Sequence, residues 1–415
     1  MTTSARRVAS DSVVLVVGNA STAALGLVFW IVATALYPVE AVGRATTAVT
    51  TGTVLASVAN LSFGPLLERF LPASGRARPR VVWSTLGVSA LSAAMWGGGY
   101  AALLPGTALF ASAAERIGFA LAVVVLAAFA ILDSALIGLQ RARWVFAKNV
   151  AHAVAKLLAV TALAGSGGGS AIVGGWIVTT AVAVAAVEMG LWATRTRWAA
   201  PADPPALPPT RELAQYGLVS LGWMLAQALP GIAIPTIVIL RTGVETAAYY
   251  NIAWTIVTAS LMMTAMATGP FIAAASRPDA EVRTLLRPFV IVLIGVSVLR
   301  GVGVGLLGPV ALHLYGPDYA AGGGMLLMLM GLAHAISGVG LLYGALARVA
   351  RRIVYPMAVQ LLSSVLVIVL VWAWIDAVGI TAVGWAYLVH DIVVLVAAVP
   401  PLIVLLRRVR ATGRL

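Results

Sequence analysis

The sequence predicts an all-α, polytopic membrane protein of about twelve transmembrane helices, arranged as two six-helix lobes around a central cavity. Three observations predict it. Apolar residues fill 61% of the 415 positions and charged residues 10%, with a mean hydropathy of +1.00, far beyond what a soluble core requires. Apolar runs recur at about the 20-residue length that an α-helix needs to cross the hydrocarbon layer. Finally, 22 of the 27 Lys and Arg residues fall in alternate gaps between those runs, which by the positive-inside rule places both termini in the cytoplasm.

The runs read, in order, as 12–37, 45–67, 81–104, 117–139, 150–165, 171–193, 213–240, 246–272, 288–312, 321–347, 353–375 and 383–406. Arg6 and Arg7 precede the first run, and it exceeds the h-region of a cleaved signal peptide. The even-numbered runs end on basic gaps: Arg69–Arg80, Arg141–Lys148, Arg195–Arg211, Arg277–Arg287, Arg348–Arg352 and the Arg407–Arg414 tail. Only Arg44, Arg116 and Arg241 lie in the opposite gaps, where Glu40 and Glu245 stand four residues away from Arg44 and Arg241 and invite local pairing. The net charge of +13 follows from this orientation and from contact with anionic lipid, so nucleic acid is not implied. No cysteine is present, which excludes disulfide and thiolate-metal chemistry. The four histidines are scattered, so no metal site and no cofactor is expected.

The polar stretch 194–210 holds Pro201, Pro204, Pro205, Pro208 and Pro209, too many for a helix. It divides the chain into an N-terminal lobe (1–193), a cytoplasmic linker (194–210) and a C-terminal lobe (211–415). The halves look duplicated. Val39-Glu40 matches Val244-Glu245, and Leu139-Gln140-Arg141 lies against Leu346-Ala347-Arg348 at nearly the same offset. Six spans per half make the repeats parallel, and transporters commonly bind substrate between such repeats.

Several short segments carry a family resemblance. Ala35-Leu36-Tyr37-Pro38-Val39-Glu40-Ala41-Val42-Gly43 resembles the end of the first helix in bacterial polysaccharide and O-antigen flippases, members of the multidrug/oligosaccharidyl-lipid/polysaccharide exporter superfamily. Phe63-Gly64-Pro65 through Glu68-Arg69-Phe70-Leu71-Pro72 is similar to that family's close of helix two. Leu132-Asp133-Ser134, Arg141-Ala142-Arg143-Trp144-Val145 and Asn149 resemble its helix 4–5 turn, and Tyr315-Gly316 with Tyr319 its helix 9–10 turn. The resemblance implies two lobes, alternating access and a lipid-linked glycan as cargo. The chain departs from the cation-coupled drug exporters of the superfamily, which carry an acid within helix one. Here that span offers Asn19, Ser21 and Thr22, with Asp11 only at its edge. The two further helices of lipid II flippases are also missing.

Charges inside the membrane are costly and must pair, neutralise or face water. Asp133 and Lys156 stand equally far from the midpoint of 140–149, which predicts an ion pair between neighbouring helices. The other reading has Lys156 facing the cavity to bind phosphate, held by Asp133, with His152 one turn away. Arg300 and His334 form a similar couple about the turn near 316. With no acid at that depth on either of these two spans, Arg300 either bonds carbonyls in a packed interface or recognises a pyrophosphate with its planar fork. His390 and Asp391 lie about a third of the way into the last span, and Asp391 is a candidate proton carrier; Glu188 is interfacial. Thr46, Thr47, Thr50, Asn60, Gln215, Gln227, Asn251 and Thr255 either line a hydrated cavity or bond between helices.

These readings converge on a multi-pass protein of the bacterial inner membrane that is not an enzyme. It would flip a lipid-linked oligosaccharide or polysaccharide precursor, with Lys156, Arg300, His152 and His334 as the substrate-binding set. Its partners would be a lipid-diphosphate-linked glycan, membrane lipids and glycan-assembly proteins. A drug or metabolite exporter on the same scaffold is the nearest rival. A glycan polymerase or ligase would need a sizeable outer loop, and every outer gap is short. An assembly scaffold would not need buried cations.

Overall fold

A computed structural model describes residues 3–105, 109–166, 168–198, 209–276, 281–350 and 352–413. The side chains of Arg6, Arg7, Asp11, Asn19 and Gln215 lie outside the described residues, as do Pro201, Pro204, Pro205 and Pro208. Every long element among the described residues is a helix: α1 (Thr3–Leu36), α2 (Val39–Ala59), α3 (Phe63–Phe70), α4 (Arg78–Leu103), α5 (Ala113–Gly138), α6 (Ala142–Ala162), α7 (Gly169–Ala193), the one-turn α8 (Arg195–Trp198), α9 (Thr210–Ala275), α10 (Val282–Val302), α11 (Gly308–Ala311), α12 (Pro317–Ile336), α13 (Gly338–Val349), α14 (Val354–Val378) and α15 (Thr381–Thr412). This is a polytopic all-α membrane protein. Eight helices among the described residues are long and apolar enough to cross a bilayer.

The other expected spans are helical too, but weaker by composition or interrupted. Threonines at 46, 47, 50, 51 and 53 lower the hydropathy of α2. Its span breaks where Leu61 and Ser62 adopt left-handed φ of 48° and 58° before α3 resumes. In α9, Gly243 adopts a positive φ (φ 86°, ψ 177°) outside the helical region and separates a 210–242 arm from a 244–275 arm, so one long helix stands for two spans. Ser337 divides α12 from α13.

The described residues cluster into two compact units, Met1–Ala228 and Leu229–Leu415. The boundary falls beyond the proline-rich stretch, because the start of α9 packs on the first unit. There Ser62 donates to the Met224 Sδ at 3.8 Å, and Gly217 lies against Leu66. In the first unit, Leu67, Leu71, Val82, Ile131, Leu132, Leu136 and Leu191 knot α3, α4, α5 and α7 together beside the basic gaps. The second unit's knot is built on Phe271 and Phe289, stacked at 3.8 Å, with Leu346, Leu402 and Leu405. Large apolar side chains such as Met95, Met189 and Leu362 point outward, as lipid-facing residues must.

One helix crossing is set by glycine. A Cβ on Gly331 of α12 would lie 2.3 Å from the Gly305 Cα and 2.7 Å from the Gly301 carbonyl oxygen. Backbones approach this closely only where both helices lack side chains. Gly305 lies in a π-helical turn, Gly303–Leu307, that follows directly on α10 and Arg300. Such turns are frequent at functional sites.

Candidate functional site: a buried basic cluster in each unit

In the first unit the cluster hangs on a tight turn. Only residues 139–141 separate α5 from α6. Gln140 closes the turn with φ 57°, and the Arg141 N–H donates to the Leu136 carbonyl at 2.8 Å. Asp133 is five residues before the end of α5, and Lys148 is six residues after the start of α6. They therefore meet at one depth, with the Lys148 Nζ 3.0 Å from the Asp133 Oδ1. Asn149 donates to the other carboxylate oxygen at 3.1 Å. Lys148 also donates to the Phe129 carbonyl at 2.7 Å and lies 3.1 Å from the centroid of that ring. This corrects the expected Asp133–Lys156 pair. Placing the turn at 140–149 made it too long. Lys156 lies eight residues beyond Lys148, roughly 12 Å further along the helix.

Lys156 is held differently. It is 7% exposed, and its ammonium sits 3.7 Å from the centroid of the Trp176 ring and 5.3 Å from that of Phe29. No carboxylate pairs with it among the described residues. Between the two lysines, on the same face, the His152 Nε2 is 2.9 Å from the Thr180 Oγ1. Thr180 spends its only proton on the Trp176 carbonyl at 2.7 Å, so His152 donates and carries its proton on Nε2. Lys148, His152 and Lys156 thus form a buried stripe at i, i+4 and i+8 of α6. Sequence reasoning assigned Lys148 to a cytoplasmic gap and missed it, although the four-residue spacing was in plain view. Trp176 and Thr180 had no signal in the sequence.

In the second unit the expected couple forms. The Arg300 Nη2 donates to the His334 Nδ1 at 3.1 Å and the Arg300 Nε to the Ser260 Oγ at 3.4 Å. A guanidinium only donates, so His334 accepts at Nδ1 and holds its proton on Nε2. That buried Nε2 has no partner among the described residues. Arg300 is 3% exposed, taken up by neighbours from the 244–275 arm of α9 and from α12. A third helix brings an acid towards it. Asp391 of α15 is within electrostatic reach of Arg300 and accepts from, or pairs with, the His390 Nδ1 at 2.9 Å. Because α15 starts at Thr381, Asp391 is ten residues in, about 15 Å along the helix.

The remaining polar residues mostly serve their own helices. Thr46 donates to the Val42 carbonyl, Asn251 to Ala247 and Thr255 to the Asn251 carbonyl, while Asn60 reaches across to Ala127. Thr46, Thr47 and Asn251 are buried; Gln227 is exposed. Neither expected i,i+4 ion pair forms. Arg241 instead grips the Asp376 carboxylate with Nε and Nη2 while lying over Trp372, and Glu245 accepts from the Tyr249 hydroxyl at 2.6 Å. The cause is Gly243: its non-helical, positive-φ backbone destroys the helical phase between residues 241 and 245. Glu40 and Arg44 form no ion pair. Among the described residues no three His, Asp or Glu side chains converge as a metal site would need.

No family model matches the chain, and no curated protein matches it. Solved structures do match. An inward-facing multidrug resistance MATE family transporter of the MOP superfamily superposes with a TM-score of 0.66 at 15% identity, over 94% of this chain and 95% of that one. The fold is that of the MATE transporters. The lipid II flippase MurJ in an inward closed conformation matches equally well, with a TM-score of 0.66 at 11% identity over 94% of this chain and 87% of MurJ. The multidrug transporter DinF-BH in complex with R6G gives 0.60 at 18% identity over 97% of this chain and 96% of that one. At such identities the fold is shared, and cargo is a separate matter.

Proposed function

We propose that the chain is a membrane transporter that flips a lipid-linked oligosaccharide or polysaccharide precursor across the inner membrane by alternating access. One observation carries the choice of an anionic cargo. Among the described residues, Lys148, Lys156 and Arg300 are buried in apolar helices, only Lys148 has a carboxylate in ion-pair contact, Asp133, and Lys156 rests on aromatic rings. A cationic drug would have to be desolvated against that field, whereas a diphosphate would be favoured by it. The likeness of the fold to a lipid II flippase supports the same reading. Since Arg300 is occupied by His334 and Ser260 in this conformation, phosphate contact requires the guanidinium to leave His334. In this reading Asp391, with His390 against it, takes up a proton as it does so.

The second reading, a multidrug exporter, is supported by the MATE neighbours to the same degree. A binding measurement separates the two. In detergent, an isoprenoid diphosphate sugar should raise the melting temperature of the wild-type protein and fail to do so for Lys156→Gln or Arg300→Gln. A cationic dye that stabilises the wild type while the diphosphate sugar does not would move the assignment to drug export.

A further inference from the structure

The rings around Lys156 form a site with a chemistry of its own. Phe29 and Trp30 of α1 meet Trp176 of α7 beside it. Phe29 lies edge to face with both tryptophans, at 4.9 Å between centroids in each case, and Trp30 is 5.7 Å from Trp176. Two features bring these helices onto α6. Gly175, next to Trp176, lets α7 approach until an added Cβ would lie 3.3 Å from the Ala159 Cβ. The Tyr37 hydroxyl, just beyond α1, donates to the Val160 carbonyl at 2.9 Å, one turn past Lys156. One turn the other way, the His152 ring borders Trp176 edge to face at 6.4 Å. Phe29 and Trp30 are buried, so the cage is shielded from water.

The way the ammonium is held sets Lys156 apart from the other buried cations. Lys148 is fixed by a carboxylate and a carbonyl, and Arg300 by an imidazole and a hydroxyl. The Lys156 Nζ makes no hydrogen bond and no ion pair among the described residues, and sits over the faces of Trp176 and Phe29. Ring faces select positive charge and size and place no demand on the direction of an N–H bond, which is why aromatic cages bind alkylated ammonium ligands. Nothing in such a cage requires its occupant to be tethered. We infer that Phe29, Trp30 and Trp176 form an alkylammonium-binding cage that Lys156 fills as a tethered ligand. Lys156 thereby keeps free organic cations out of the first unit, which makes it a specificity-determining residue against cationic compounds. This inference goes beyond the proposed function and does not depend on the nature of the cargo.

The test empties the cage and offers it a free ligand. Lys156→Ala removes a fragment the size of propylammonium and leaves the rings in place. Full-length protein in a non-ionic detergent is titrated with n-propylammonium chloride and followed by melting temperature. n-Propanol serves as the neutral isostere and sodium chloride as the ionic-strength control. Propylammonium should raise the melting temperature of Lys156→Ala in a saturable way. It should bind roughly tenfold more tightly than propanol, a ratio within reach of a desolvated cation–π contact. Wild-type protein and Lys156→Met, whose cages are filled, should respond to neither, and adding Trp176→Leu to Lys156→Ala should abolish the response. Should Lys156→Ala fold poorly, Lys156→Val takes its place with ethylammonium as the ligand, since valine fills more of the space and leaves the ring faces bare. The inference is overturned by no response in the emptied variant, by equal responses to propylammonium and propanol, by a wild-type response as large as the variant's, or by a response that survives loss of Trp176. The readout needs no cargo, so its failure and that of the flippase reading are separate results.

Discussion

Which lysine neutralises Asp133 is decided by the number of residues in the α5–α6 turn. With three residues in it, Lys148 and Asp133 meet at 3.0 Å, and Lys156 is carried two helical turns further along. A double-mutant cycle between Asp133→Asn and Lys148→Met, read as melting temperature in detergent, should therefore give a coupling of about 1–3 kcal/mol. The cycle between Asp133→Asn and Lys156→Met should be additive; coupling in the second cycle alone would restore the pairing first drawn from the sequence. The residue types of the site were legible before the structure: Lys156, His152, Arg300, His334 and Asp391 stand out because charge in an apolar run is costly. Their partners were not, since partner identity depends on turn length and helix phase to within a residue or two. Arg300 shows the same limit from the other side. The carboxylate that acts on it electrostatically, Asp391, lies 91 positions away in the sequence, and the packing of α15 brings it near.

At the scale of the element, hydropathy located the helices well and their interruptions poorly. The break at Leu61 and Ser62 and the π-helical turn at Gly303–Leu307 both fall inside stretches that read as continuous spans, whereas the break at Gly243 falls in the gap expected between two runs. None changes the apolar pattern. Gly331, whose Cβ would meet the Gly305 backbone at 2.3 Å, leaves no mark on the apolar pattern either. Replacing it tests the crossing. Gly331→Ala pushes a methyl into the backbone of α10 and should destabilise the protein by about 1–3 kcal/mol, the usual range for overpacking. Gly344→Ala, where nothing lies within 4 Å of the new Cβ, should be nearly neutral. Equal melting temperatures for the two variants would mean that α10 and α12 are not packed as described.

For the whole molecule, composition alone sufficed to read a polytopic helical membrane protein, and the fold shared with MATE and MurJ structures agrees. Orientation remains a prediction from the 22 basic residues on one side. Reporter fusions after Arg80, Pro205, Arg352 and Leu415 should all read cytoplasmic, and an external signal at Pro205 would contradict a six-and-six division. Cargo is the claim on which the functional account stands, and it was never legible from topology, since one scaffold carries both drugs and lipid-linked precursors. The most direct measurement is reconstitution into proteoliposomes with a fluorescent lipid-diphosphate sugar, followed by quenching from one side. The account predicts that wild-type protein exposes the labelled lipid to the quencher faster than empty vesicles do, and that Lys156→Gln and Arg300→Gln, inserted equally well, do not. Wild-type vesicles no faster than empty ones, in a preparation that exports a cationic dye, would contradict it.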